Sequence, residues 1–207
     1  MNIFEFQFEN WYTFCARFNW LALIITLIII GFILYIIKKS TKKLGYHYID
    51  VDAVTLGIGK NNIKLKYNKK DQEIAYKLWV ELNTRKIGLP YDEKNDVIVE
   101  VYNSWYEFFK IARELLKDIP PSRLHYSAKL ITVTTDVLNV GLRPHLTKWQ
   151  AKYRKWYESH AKDDGDPQEI QRKFPEYDDL INDLKKTNTQ MIEYKNLMYK
   201  IAFDNQK

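Results

Sequence analysis

Apolar and polar positions along this chain follow two rhythms, of period two and of period 3.6, after an opening run that has neither. From Trp20 to Ile37 the sequence reads WLALIITLIIIGFILYII, 18 residues without a charge. A helix of roughly 20 residues spans the hydrocarbon core of a bilayer, and residues 18–37 reach that length. All its backbone amides are satisfied within the helix, as hydrocarbon demands. A cleaved signal peptide needs a basic start and small residues after its apolar run. In this chain Glu5 and Glu9 precede the run and Lys38-Lys39 follow it. A buried core helix is rarely apolar on every face over five turns. The pattern therefore predicts a transmembrane helix at 18–37.

Period two comes next. Ile63, Leu65 and Tyr67 alternate with Asn62, Lys64 and Lys66, as in a strand with one buried face. Gly57-Ile58-Gly59-Lys60-Asn61-Asn62 has turn chemistry, so residues 46–67 are expected to form a small β-hairpin. One or two helical turns over 50–56 are the alternative, as is pairing of this segment with a sheet from another chain.

Beyond residue 70 the rhythm is helical. Ile74, Leu78 and Leu82 share a face in a segment read as 71–86, which Gly88 and Pro90 terminate. Residues 96–117 place Trp105, Phe108, Ala112 and Leu115 on one stripe, although Val97-Ile98-Val99-Glu100-Val101 also suits a strand. Pro120-Pro121 breaks the chain, and Ser122 is a natural N-cap for a helix to about Val140. Gly141 and Pro144 are expected to interrupt or kink it. Leu142, Leu146, Trp149, Tyr153 and Trp156 then recur at spacings of four and three, and Tyr177 to Ile201 keeps that spacing longest. The fold class expected is mainly α: one N-terminal transmembrane helix, then a helical bundle with a small hairpin or mixed α+β start.

Charge orients the anchor. Residues 1–43 hold five bases (Arg17, Lys38, Lys39, Lys42, Lys43) against Glu5 and Glu9, so half of the net +6 lies there. That is not the profile of a dedicated DNA-binding domain. Four lysines after the helix and one arginine before it place the C-terminal side in the cytoplasm. Trp11, Trp20 and the four lysines are the membrane-interface candidates. The organisation expected is an extracytoplasmic or interfacial N-terminus at 1–17, with a short amphipathic helix as one option, the span at 18–37, a basic linker at 38–45 and a cytosolic helical domain at 46–207. The localisation expected is a bacterial inner membrane.

Candidate chemistry is sparse. The single Cys15 excludes an intrachain disulfide and a cysteine zinc cage. His47, His125, His145 and His160 form no H-E-x-x-H pattern, and G-x-S-x-G is absent. Gly57-Ile58-Gly59 lacks the third glycine and the Lys-Ser/Thr of a phosphate loop. Asp163, Asp164 and Asp166 lack calcium-loop spacing. No cofactor and no metal are expected. The feature that stands out is a basic run interleaved with aromatics: Arg143, Lys148, Trp149, Lys152, Tyr153, Lys155 and Trp156. These are the candidate partner-binding residues, for a protein partner or a second copy ahead of a nucleic acid.

Two resemblances bear on function. Arg154-Lys155-Trp156-Tyr157-Glu158-Ser159-His160 resembles the R-x4–6-H signature of HEPN-type ribonucleases. There, two such helices meet across a dimer and the pair polarises an RNA phosphate while the 2′-hydroxyl attacks. The resemblance implies Arg154 and His160 as a metal-independent catalytic pair, although Lys155 stands where the family usually has Asn, Asp or His. Separately, Gly141-Leu142-Arg143-Pro144-His145-Leu146-Thr147-Lys148-Trp149, with the basic-aromatic stretch to Trp156, resembles a segment of uncharacterised single-pass membrane proteins from bacterial anti-phage defence loci. It implies an inner-membrane protein acting with partner proteins and carries no catalytic residues. The leading expectation is thus a non-enzymatic, membrane-anchored interaction or effector protein; the tethered ribonuclease is the alternative.

Overall fold

The computed structural model describes residues 4–10, 13–18, 20–42, 46–162 and 164–203, with side chains described over 24–37, 46–162 and 164–203. The chain divides into two compact units, Met1–Gly45 and Tyr46–Lys207. In the first, strand β1 (Phe4–Asn10) pairs antiparallel with β2 (Thr13–Phe18), in place of the short helix weighed for this stretch. Helix α1 (Trp20–Lys42) follows, so the helix takes in Lys38, Lys39 and Lys42 instead of yielding to a linker at 38. Its described side chains, 24–37, are exposed throughout. Among the described residues no helix is long and apolar enough to cross a membrane. Trp11 and Lys43, and the side chains of Trp20, Lys38, Lys39 and Lys42, lie outside what is described.

The second unit begins with the expected hairpin. β3 (His47–Val51) pairs antiparallel with β4 (Ile63–Tyr67), with Ile49 opposite Leu65 and Tyr48 opposite Lys66. Alternation sends Val51, Leu65 and Tyr67 into the core and leaves Tyr48, Asp50 and Lys64 outside. Asp52 organises the connection, its carboxylate accepting from the backbone N–H groups of Val54 (2.9 Å) and Thr55 (3.2 Å). Gly57 adopts a positive φ of 69°, where a side chain would be strained.

Helix α2 (Lys69–Thr84) starts on a reciprocal cap. Asn68 accepts from the Lys70 and Asp71 N–H groups, and Asp71 accepts from the Asn68 N–H. The stripe Ile74, Leu78, Leu82 is buried as expected. A 3-10 turn (Lys86–Gly88) leads on to α3 (Ile98–Lys117). From Ile98 the β-branched run is helical, not a strand, because Ile98, Val101, Tyr102 and Trp105 then fall on one buried face. Val97 provides no cap, so Gln171, on α6 (Pro167–Arg172), does: its Oε1 accepts from the Ile98 N–H at 2.9 Å.

Ser122 is not an N-cap. It lies in a 3-10 turn (Pro121–Arg123) ahead of α4 (Leu124–Asp136). Where a kink was expected, a π-helical turn (Val137–Leu142) joins α4 to α5 (Arg143–His160). Pro144 sits in the first turn of α5, where its missing N–H is least costly. Helix α7 (Tyr177–Phe203) closes the bundle and makes its most extensive packing with α2, burying Leu180, Leu184, Met191, Tyr194, Met198 and Ile201.

Candidate functional site

Helix α5 carries the sequence-predicted site, and packing sorts its residues onto three faces. At about 100° per residue, His145, Trp149 and Tyr153 share a face directed into the bundle. Trp149 is 2% exposed and Tyr153 0%. Neither can belong to a binding surface of the folded domain, which corrects the expectation from the basic-aromatic run. Aromatic rings interleaved with lysines at helical spacing look the same in sequence whether they meet a partner or their own core.

The core face holds a polar network that composition alone does not reveal. His145 is buried, with Nδ1 at 2.8 Å from Asp183 Oδ2 and Nε2 at 3.1 Å from the Tyr102 hydroxyl. The Trp149 indole N–H donates to the same Asp183 oxygen at 2.9 Å. The consistent tautomer has Nδ1–H donating to the carboxylate and Nε2 accepting from tyrosine. Helices α3, α5 and α7 are tied at this one point. Burial lowers the imidazole pKa, outweighing the pull of Asp183 in the other direction. Partial burial would raise the Asp183 carboxyl, but hydrogen bonds from His145 and Trp149 hold it below its ordinary value.

A pH dependence follows. A histidine held neutral by folding binds fewer protons than its unfolded counterpart, so its contribution is complete above the unfolded pKa near 6.5. It is lost as pH falls from there towards the depressed folded value. Unfolding free energy, measured at pH 7.5 and 5.5, is expected to drop on acidification by more in the wild type than in His145→Gln. An equal drop in both would show that His145 does not carry the effect.

The second face looks towards α3. Arg143, Thr147, Gln150 and Arg154 line the α5 side of an open groove in two adjoining parts that share Tyr106 and Gln150, one of about 530 Å³ beside Arg143 and one of about 560 Å³ beside Arg154. Phe109 and Leu146 contribute to its apolar lining, with the exposed ring of Tyr106 beside them. The Arg143 guanidinium lies 4.8 Å over the Phe109 ring, and its Nε and Nη2 both donate to Asn139 Oδ1 (3.1 and 3.0 Å). Arg154 donates to Asn103 Oδ1 at 3.1 Å. From α3 come Lys110 and Arg113. Four cations thus face two acids, and both acids are engaged along their own helix: Glu107 lies 3.7 Å from Lys110, and Glu114 pairs with Lys117 at 2.7 Å.

No family model, curated protein or solved structure matches this chain.

The remaining predicted residues occupy the third face or close the core. Lys148 lies over the Trp149 ring at 4.4 Å, and Lys152 is ion-paired with Glu176. Lys155 is exposed beside half-buried Trp156, which packs against Phe174 with ring centroids 5.3 Å apart. His160 stacks on Trp156 at 4.5 Å, and its Nδ1 lies 2.8 Å from the Trp156 carbonyl oxygen. Arg154 and His160 are six residues apart, hence about 120° apart around α5. Arg154 faces the α3 groove and His160 the Trp156 side, so one chain does not bring the pair to a common cavity. Asp163 lies outside the described residues; Asp164 and Asp166 are exposed.

Proposed function

We propose that this chain is a membrane-anchored interaction protein, held in a bacterial inner membrane by residues 18–37, whose cytosolic domain binds an acidic segment of a partner protein in the α3–α5 groove. The observation that carries the interaction reading is the groove itself, an apolar lining ringed by Lys110, Arg113, Arg143 and Arg154. A complementary acidic, amphipathic helix gains both apolar burial and steering by charge there. The anchor is supported by the uncharged 18-residue run and by the exposure of every described side chain of α1. Orientation is supported by the lysines that follow the run. The resemblance of Gly141–Trp156 to a segment of single-pass proteins from defence loci supports a role beside other proteins.

The test is affinity purification of the full chain from its native membrane in mild detergent, in parallel with Arg113→Glu/Arg143→Glu. Arg113 is exposed, so its change is expected to cost only about 0.5 kcal/mol. Arg143→Glu also gives up the Phe109 and Asn139 contacts, so the unfolding free energy of the variant is measured alongside. A stoichiometric partner recovered with the wild type and depleted at least tenfold with the variant supports the groove. Equal recovery assigns the partner to another surface.

A further inference from the structure

We propose that the outer face of the β3–β4 hairpin, with the first turns of α4, is a lipid-docking surface that lays the domain on an anionic bilayer. This rests on reading the chain as membrane-anchored, and goes beyond it by naming what the domain itself touches.

The hairpin has one face in the core and one exposed. On the outer face two tyrosines and two lysines interlock: Lys66 Nζ lies 3.7 Å from the Tyr46 ring centroid and Lys64 Nζ 5.9 Å from that of Tyr48. Tyr46 stacks on Tyr126 at 6.2 Å, and Tyr126 on His125 at 4.8 Å, which joins the sheet face to α4. Tyr48 is 59% exposed, Leu124 45% and Tyr126 44%. Lys129, exposed, stands three residues after Tyr126 on its side of α4, and exposed Arg123 lies in the turn just ahead of that helix. Two cations therefore sit against the rings and two more flank Tyr126 in sequence, while Asp50 is the acid among the described outward-facing residues of the two strands.

This is the chemistry of a headgroup layer. Tyrosine rings favour the interface between hydrocarbon and water. Ammonium groups set beside those rings, with Lys64 exposed and Lys66 half-buried, put positive charge at the same level and suit an acidic leaflet. At Tyr46 a nucleic-acid base fits less well, because stacking needs an open ring face. Lys66 covers one side of Tyr46 and Tyr126 stacks against it. A second copy docked face to face would bring two patches of the same positive charge together. Tyr46 also follows Lys42-Lys43 by three residues. Anchoring would hold the patch at high effective concentration beside lipid, so even weak docking would persist.

The test uses the full chain in lipid nanodiscs, with Cys15→Ser and a fluorophore on Asp50→Cys; a parallel sample carries it on Asp178→Cys, in the acidic segment. Quenching by a nitroxide on the lipid headgroup reads proximity. In discs containing phosphatidylglycerol the Asp50 label is expected to be quenched severalfold more than the Asp178 label. Zwitterionic discs, or Lys64→Glu/Lys66→Glu, should bring it down to the control. Equal quenching in the two disc types overturns docking. Lipid-independent quenching that rises with copies per disc overturns it in favour of self-contact, and its suppression by added oligonucleotide in favour of nucleic acid. Resistance to alkaline extraction from native membranes judges the anchor separately, so a released chain fails the anchor reading and an unquenched one the docking reading.

Discussion

Trp149→Ala is expected to lower the unfolding free energy by about 3–5 kcal/mol, the cost of emptying a large buried aromatic site. The ring is nearly fully buried, and its N–H shares Asp183 with His145. Trp149→Phe separates the two contributions: it keeps most of the packing and forfeits one hydrogen bond to a charged group, about 1.5–3 kcal/mol. Chemical denaturation of the detergent-solubilised chain, followed by circular dichroism, measures both. An alanine variant within 1 kcal/mol of wild type would mean that α5 does not pack as described. A charge at position 149 should unfold the domain, so lost function in such a variant would report on folding and not on a partner. Arg113, exposed on α3, is the position where lost binding is most directly read as lost binding.

Gly88→Ala is expected to be almost as damaging, at roughly 3–5 kcal/mol, although the position looks like an ordinary helix stop. A Cβ there would lie 2.0 Å from the Leu82 carbonyl oxygen and 2.7 Å from its carbon. Both are backbone atoms, so no side chain can swing aside and the turn itself must move. That turn is stapled to α7. The Asn188 side-chain amide donates to the Ile87 and Leu89 carbonyls (3.0 and 3.1 Å) and accepts from the Tyr91 N–H (3.0 Å). Lys195 Nζ donates to the Gly88 carbonyl at 2.8 Å. Displacing the turn strains all four bonds together. Thermal unfolding checks this, and an unchanged midpoint would show that the turn opens freely.

The helix seams were legible because burial and periodicity coincide. Ile74, Leu78 and Leu82 are buried, as are Leu180, Leu184, Met191, Tyr194 and Met198, all on the stripes read from spacing alone. The hairpin was legible through its strict alternation. The β-branched run before Trp105 was ambiguous because its local preference and its helical stripe disagree, and tertiary burial decided. The π-turn was not legible: Gly141 and Pro144 signal an interruption without saying how the backbone absorbs it. The polar network was hidden because Asp183 lies 38 positions from His145 and Tyr102 lies 43. An aspartate in the early turns of α7 reads as a solvated residue until packing shows what faces it. Gln171, which caps a helix 73 positions upstream, was hidden for the same reason.

The staples between the 86–91 turn and α7 also set a timetable for the nascent chain. Asn188 reaches Ile87 across 101 positions, and Lys195 reaches Gly88 across 107. At about 5–20 residues per second of synthesis, α2 leaves the ribosome on the order of 5–20 seconds before α7 can cover it. Helices themselves form within about a microsecond, so the wait lies in translation. Through that interval Ile74, Leu78 and Leu82 lack their final neighbours, and a chaperone or the translating ribosome must keep them from other chains.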